Sequence, residues 1–200
     1  MYPIHLASKL SGASEGQLRH WATTGILEPA HGRQPRYLYS FRDIMALRTV
    51  ARLRSDVPLQ RIRSAFSTLS ELDLTEHPSQ YALFSDGESV FLVQGDDITD
   101  LVKRRRQTML TSLADVMHPF KNMRGERVVD LRHPRENLEI REARLAGWPT
   151  IRGTRVPYDL VASLMEDVPA EQVSRYYPGV SAEAAKDARD FHLSVEAVPA

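Results

Sequence analysis

The spacing of apolar positions changes several times along the chain, and each change marks an element. From Ile4 to Pro29, IHLASKLSGASEGQLRHWATTGILEP, two short helical segments meet at Ser11-Gly12-Ala13. Ala7 and Leu10 on the first segment oppose Leu18 and Trp21, three apart, on the second. The second opens with Ser14-Glu15-Gly16-Gln17, a Ser-x-x-Gln capping box in which side chains and end amides satisfy one another, so the helix starts sharply after a tight turn. Ser14, Glu15, Gln17, Arg19 and His20 are expected to point outward. A helix that packs on one side and offers a short polar row from its first turns has the form that enters a major groove.

Ala30 to Leu38, AHGRQPRYL, is a polar turn running into β-prone Tyr37, Leu38 and Tyr39. It predicts a small hairpin, or wing, with Arg33 and Arg36 at its tip. Ser40-Phe41-Arg42-Asp43 caps the next helix, whose Ile44, Leu47 and Ala51 make an apolar face with Arg48 at its margin. Arg42, Arg48, Arg52 and Arg54 are assigned to its wetter sides. Val57-Pro58 ends that helix and starts another, with Leu59, Ile62 and Phe66 inward.

Beyond residue 70 the pattern turns to alternation. Tyr81 to Phe84 and Ser89 to Val93 read as two strands around Ser85-Asp86-Gly87-Glu88, and such a hairpin must pack on something. Asp96, Asp97 and Asp100 suit a solvated turn before a helix. Lys103 to Arg106 is a basic run that fits either DNA contact or a solvated face, and Thr108 to Met117 carries a broad apolar stripe. Pro119 to Pro134 reads as a linker with a short strand at Val128 to Leu131. Then Leu138 to Ile140 and Thr150-Ile151 are strand candidates, with turns at Gly147 and Gly153. Three short helices follow: one from Pro157 with Leu160, Val161 and Leu164 as its apolar face, one from Val168-Pro169 with Val173 and Tyr176 inward, and one capped by Ser181 with Ala184, Ala188 and Phe191 buried. The fold class expected is mainly α with small β elements, an α+β arrangement in three parts: 1–70, 71–134 and 135–195.

Charge changes the picture at one end. Residues 1–70 hold ten Lys and Arg against four Asp and Glu, a net of +6, whereas 71–200 hold sixteen against twenty-two. Helix-turn-helix pairs also occur in proteins that bind no DNA, but like charge gathered on one small unit is the electrostatic signature of a phosphate-binding surface. The 42% hydrophobic content supports one substantial core or two or three small ones. Cysteine is absent, which excludes disulfides and thiolate chemistry. The sequence has no membrane-length apolar run and no secretory leader pattern, so a cytoplasmic protein is expected.

Residues 2–68 resemble the winged helix-turn-helix of the MerR family. The matches are Tyr2-x-Ile4, Ala7, Gly12-Ala13-Ser14, Leu18-Arg19-His20-Trp21, Gly25-Ile26-Leu27-x-Pro29, Arg36-Tyr37-Leu38-Tyr39-Ser40-x-x-Asp43-Ile44, Arg52-Leu53-Arg54 and Leu59-x-x-Ile62. The resemblance implies that Arg19 and His20 contact phosphates, that Gln17 and its neighbours, Ser14 among them, face bases, and that Arg33, Arg36 and Tyr37 grip the flanking backbone of operator DNA. Gly16 departs from the family, which often has a long side chain there. The chain also lacks the long dimerising helix with which MerR regulators continue.

Gly147-Trp148-Pro149-Thr150-Ile151-Arg152-Gly153-Thr154-Arg155-Val156-Pro157, with Tyr176-Tyr177-Pro178, resembles a small bacterial domain of unknown function. That domain is typical of antitoxins paired with PIN-like ribonuclease toxins, and the order of the two modules resembles VapB-type antitoxins. This implies a homodimeric operon repressor that binds and silences a toxin. Arg152, Thr154, Arg155, Tyr176 and Tyr177 are the candidate protein contacts, although Arg152 to Arg155 also fit a polar turn that ties the strand to the helices. The last helix exposes a balanced Glu183, Lys186, Asp187, Arg189 and Asp190, which argues for a protein surface rather than a second DNA reader. The alternative is a MerR-like regulator without a toxin, whose C-terminal module binds a ligand or another protein. The seven histidines are dispersed, and there is no Gly-rich phosphate loop or Gly-x-Ser-x-Gly elbow. No enzyme, cofactor or metal is therefore expected.

Overall fold

The structure, a computed structural model, describes residues 1–30, 32, 36–71, 82–85, 88–94, 97–102 and 117–197. The wing tip with Arg33, the Asp86-Gly87 turn, the Lys103 to Arg106 run and all of the Thr108 to Met117 stripe except Met117 lie outside the described residues.

The chain begins with β1 (Tyr2–Pro3) and runs directly into α1 (Ile4–Ser11). Gly12 ends α1 in the left-handed region, φ 80°, and donates its N–H to the Ser8 carbonyl. Two residues later Ser14 caps α2 (Glu15–Thr23), and both halves of the expected box are present: Gln17 N–H donates to Ser14 Oγ at 3.2 Å and Ser14 N–H to Gln17 Oε1 at 2.8 Å. Leu18 and Trp21 are buried, as their spacing predicts. Glu15 is not outward as expected: it is 7% exposed, where the amides of the helix start favour a carboxylate.

Past the wing, β2 (Leu38–Tyr39) pairs antiparallel with β1. Next comes α3 (Phe41–Asp56), started by a Ser40/Asp43 capping box, and then α4 (Leu59–Glu71). The carboxylate of Asp43 also accepts the Ala30 N–H at 2.9 Å, so one side chain pins both ends of the wing. Against α3 and α4 lies an antiparallel meander of β3 (Ala82–Ser85), β4 (Val90–Gln94) and β5 (Asp97–Asp100). The last strand corrects the expected solvated turn at Asp97 to Asp100. Asp100 is 1% exposed and accepts from the Ser89 hydroxyl and from the Val102 N–H.

The stretch expected as a linker is a folded hairpin, β6 (Phe120–Lys121) and β7 (Arg127–Val128), with Phe120 and Val128 opposite each other and buried. Asn122 shapes its turn by accepting the Arg124 and Glu126 N–H groups on its side-chain oxygen. This hairpin is why Arg48 is misassigned from sequence. Arg48 is completely buried, and its guanidinium donates to the carbonyls of Leu10, Met117, His118 and Val129 and lies over the Phe120 ring, 5.1 Å from its centroid.

The final part has β8 (Leu138–Glu139) antiparallel to β9 (Thr150–Ile151), then α5 (Tyr158–Leu164), a 3-10 segment over Ala170–Arg175, and α6 (Ala182–Glu196) capped by Ser181. Ala184, Ala188, Phe191 and Val173 are buried as predicted, but Leu160 and Tyr176, both expected inward, are 50% and 59% exposed. The short α5 and the tighter 3-10 turn rotate those two positions off the packed face. Buried apolar residues form one continuous cluster from Tyr2 to Val195. Its seam is made by α6 against α1 and by Tyr2, whose hydroxyl donates to the Gly147 carbonyl at 2.5 Å and whose ring stacks on Trp148. Burial, with Glu142 nearby, pushes that phenol above its usual range and keeps it a donor.

Candidate nucleic-acid interface

The outer side of α2 is where a groove-reading row is expected, and its capping box decides what each side chain has left to offer. Ser14 Oγ and Gln17 Oε1 are both engaged in starting the helix, so the free end of Gln17 is its amide nitrogen, which lies 3.4 Å from Met123 Sδ on the β6–β7 turn. Gln17 is therefore half-buried, flanked by a later segment of the chain. Arg19 is braced by Glu15 at 2.5 Å, yet its side chain is 43% exposed, so the guanidinium is aimed rather than hidden. His20, one residue on, is exposed. Carboxylate bracing leaves donors of Arg19 open for an anion while fixing its rotamer.

Arg36 is exposed at the base of the wing, and Tyr37 beside it is half-buried against the core. Both stand next to β2, whose pairing with β1 and whose Asp43 clamp fix the wing root relative to α2. Burial raises the Tyr39 phenol above its usual range. The described part of the wing thus places one cation at its base, and Arg33 lies outside the described residues.

The C-terminal candidates separate into two kinds. Thr154 is a turn residue: its hydroxyl donates to the Ile151 carbonyl at 2.9 Å and accepts the Val156 N–H at 3.0 Å. Arg152 and Arg155 on either side are exposed. Tyr176 is exposed and Tyr177 packs partly into the core. What holds this turn is a residue the sequence reading missed, Glu139. It is 1% exposed, accepts the Gly153 N–H at 2.9 Å, and pairs with Arg141 and Arg144. Burial pushes its carboxyl up, but the Gly153 amide and the two arginines outweigh that and hold it below the usual carboxylate range. Its signal was a carboxylate inside a predicted strand, where acids are depleted.

Among the described residues no group of three or more His, Asp or Glu could hold a metal, and no helix is long and apolar enough to cross a membrane.

Comparison with known proteins agrees with this two-ended layout. Residues 2–69 match the MerR HTH family regulatory protein model, and residues 138–191 match a family described as a protein of unknown function, DUF433. Relatives include uncharacterised HTH-type transcriptional regulators of Mycobacterium tuberculosis and Mycobacterium bovis, each 32% identical over 103 residues, covering 48% of this chain and 45% of the relative. The chain thus spans less than half the length of those relatives. The X-ray crystal structure of Rv2018 from Mycobacterium tuberculosis superposes with a TM-score of 0.53 at 18% identity, over 94% of this chain and 96% of that one, and so shares the fold. The chain is therefore similar to the MerR helix-turn-helix family over its N-terminal third and to DUF433 over residues 138–191.

Proposed function

We propose that the protein is a DNA-binding regulator that represses its own operon as a homodimer, and that it is the antitoxin of a toxin-antitoxin pair, silencing a PIN-like ribonuclease by direct binding. The observation that carries the DNA half is the outer face of α2: a box-capped helix packed on α1, with Arg19 braced but open and His20 exposed beside it. The MerR match over the same residues and the net +6 of residues 1–70 support it. The two helices of a dimer would enter successive major grooves, about 10 bp apart or a multiple of it.

The antitoxin half rests on the C-terminal module. Exposed Arg152, Arg155 and Tyr176 are residue types that anchor protein interfaces, and the DUF433 match covers that module. A second reading, a regulator without a toxin whose C-terminal module binds a ligand or another protein, is favoured by the relatives' names, which mention transcriptional regulation alone.

Two experiments test these readings. Fluorescence anisotropy with the duplex upstream of the protein's own gene, repeated over a salt series, should show the log K slope flatten by about one unit for Arg19→Ala and again for Arg36→Ala. Unchanged slopes in both variants would remove the assigned DNA face. Co-expression with a nuclease encoded by an adjacent gene should relieve growth arrest and yield a co-purifying complex, weakened by Arg152→Ala and Tyr176→Ala; persistent arrest favours the toxin-free reading.

A further inference from the structure

The β6–β7 hairpin is docked on the turn of the helix-turn-helix. Asn122 Nδ2 donates to the Gly12 carbonyl at 3.0 Å, and Val128 fills the space a side chain at Gly12 would need. The tip residue Met123, 46% exposed, touches Gln17 at the start of the recognition helix. The hairpin is therefore fixed beside the end of α2 that enters a groove in helix-turn-helix docking.

Its charge is arranged in an unusual way. Phe120 and Val128 are cross-strand partners facing the core, so the next pair in register, Lys121 and Arg127, faces the opposite way, and both are exposed. Like charges directly opposite on a two-stranded ladder are destabilising. Arg124 at the turn pairs with Glu126 at 2.9 Å, so residues 120–128 carry three cations of which the single carboxylate offsets one, Arg124, and not Lys121 or Arg127. Lys9 of α1 lies across a cleft of about 350 Å³ from Arg124 and Arg127. Burial, then the nearby Arg135, holds its ammonium below its usual range, with Glu126 opposing. This is a place where cations are crowded together and an anion would relieve them.

We propose that the β6–β7 hairpin is a second DNA-contacting wing, with Lys121 and Arg127 straddling a backbone phosphate beside the groove entered by α2. The inference rests on the DNA-binding reading and adds to it an element outside the region matched to the MerR family, which ends at residue 69. Docking through Asn122 and Val128 sets the hairpin's position before DNA arrives, so little ordering entropy opposes the contact. The unfavourable Lys121–Arg127 pairing in the free protein becomes favourable once a phosphate lies between them.

The test uses the full chain and a mixed-sequence B-form duplex, with affinity measured between about 50 and 200 mM salt. The Lys121→Ala/Arg127→Ala double variant should flatten the log K against log salt slope by about two units, one per lost phosphate contact. Its thermal midpoint should equal or exceed that of the parent, because a repulsive pair is gone; a Lys121→Gln/Arg127→Gln variant repeats the measurement if the alanine form folds poorly. Arg36→Ala serves as the reference for the wider reading. If Arg36→Ala flattens the slope and neither hairpin variant does, the second wing is wrong and the DNA-binding reading stands. If the hairpin variants, Arg36→Ala and Arg19→Ala all leave the slope unchanged, or the parent fails to bind the duplex, both are overturned.

Discussion

Replacing Arg48 by methionine should do more damage than any other single change in α3. The side chain is about the same length, so the cavity term is small; what is lost is a guanidinium that donates to four carbonyls and lies over Phe120. The Leu10 carbonyl belongs to the last turn of α1, where no intrahelical N–H is available, and leaving it buried without a donor costs about 1–3 kcal/mol. Met117, His118 and Val129 are partly exposed or exposed, so water replaces some of what their carbonyls lose, at about 0.5–1 kcal/mol each. The lost cation–π contact adds about 0.5–1 kcal/mol. The sum is about 3–7 kcal/mol, overlapping the about 3–5 kcal/mol for breaking a buried charged pair. For a chain of 200 residues this lowers the melting temperature by about 6–28 °C.

The two tryptophans make the assay informative, since Trp21 lies in α2 and Trp148 beside β9. Urea unfolding of single-tryptophan forms should give coincident midpoints in the parent, because the buried cluster is continuous from Tyr2 to Val195. In Arg48→Met both should fall. Arg48→Lys should recover less than half of the loss, since one ammonium cannot span four acceptors. A midpoint for Arg48→Met within about 1 kcal/mol of the parent would show that water satisfies those carbonyls and that the guanidinium is not what holds the 117–129 segment to α1 and α3.

Further outcomes follow from the turns and caps. Gly147 and Gly153 both have positive φ, 82° and 76°, but an added Cβ at Gly147 collides with the Tyr2 hydroxyl and sits 2.9 Å from the Phe41 ring, while Gly153 faces open space. Gly153→Ala should cost about 1 kcal/mol and Gly147→Ala at least about 2 kcal/mol more in urea unfolding; equal losses would mean that the Tyr2–Gly147 seam yields freely. Ser14→Ala should lower stability by about 1 kcal/mol, with Gln17→Ala adding little on top because the two share one box. Because Glu139 is held below the ordinary carboxylate range when folded, its stabilisation is complete above that range and disappears as pH falls through the lower folded value. Glu139→Gln should therefore flatten the acid limb of the stability profile, and an unchanged limb would place the acid sensitivity elsewhere.

The parts of this fold that could be read from sequence are those whose cause is local. Ser14 with Gln17, Ser40 with Asp43, and Ser181 each start a helix by reaching three residues ahead, so the signal and its effect sit in one turn. Helical periodicity places Arg48 at a wet margin because it carries information only on the near side of a helix. Its acceptors Met117, His118 and Val129 are main-chain groups about seventy to eighty residues away, and main-chain carbonyls leave no trace in a residue pattern. The β6–β7 hairpin was passed over for a related reason: two-residue strands carry too little alternation, and the Asn122 turn with Gly125 at φ 77° was the only mark available. Asp97 to Asp100 mislead in the opposite direction, since acids are depleted in strands, and Asp100 is buried with the Ser89 hydroxyl and the Val102 N–H as donors.

What Arg48 and the β6–β7 hairpin have in common is α1. A helix of eight residues whose Leu6, Ala7, Ser8, Leu10 and Ser11 are all buried cannot be covered by α2 and α3 alone. Its remaining surface is taken by α6, β2 and β7, and its C-terminal carbonyl by Arg48. The helix that supports α2 in the MerR-like part is thus also the floor on which α6 and the basic hairpin rest. A shift of α6 would be felt along α1, and a shift of β7 at Gly12, the turn residue against which Val128 is packed. Packed cores transmit such displacements rather than absorb them. The seating of α2 on α1 is therefore tied to the packing of α6 and β7 on the same helix.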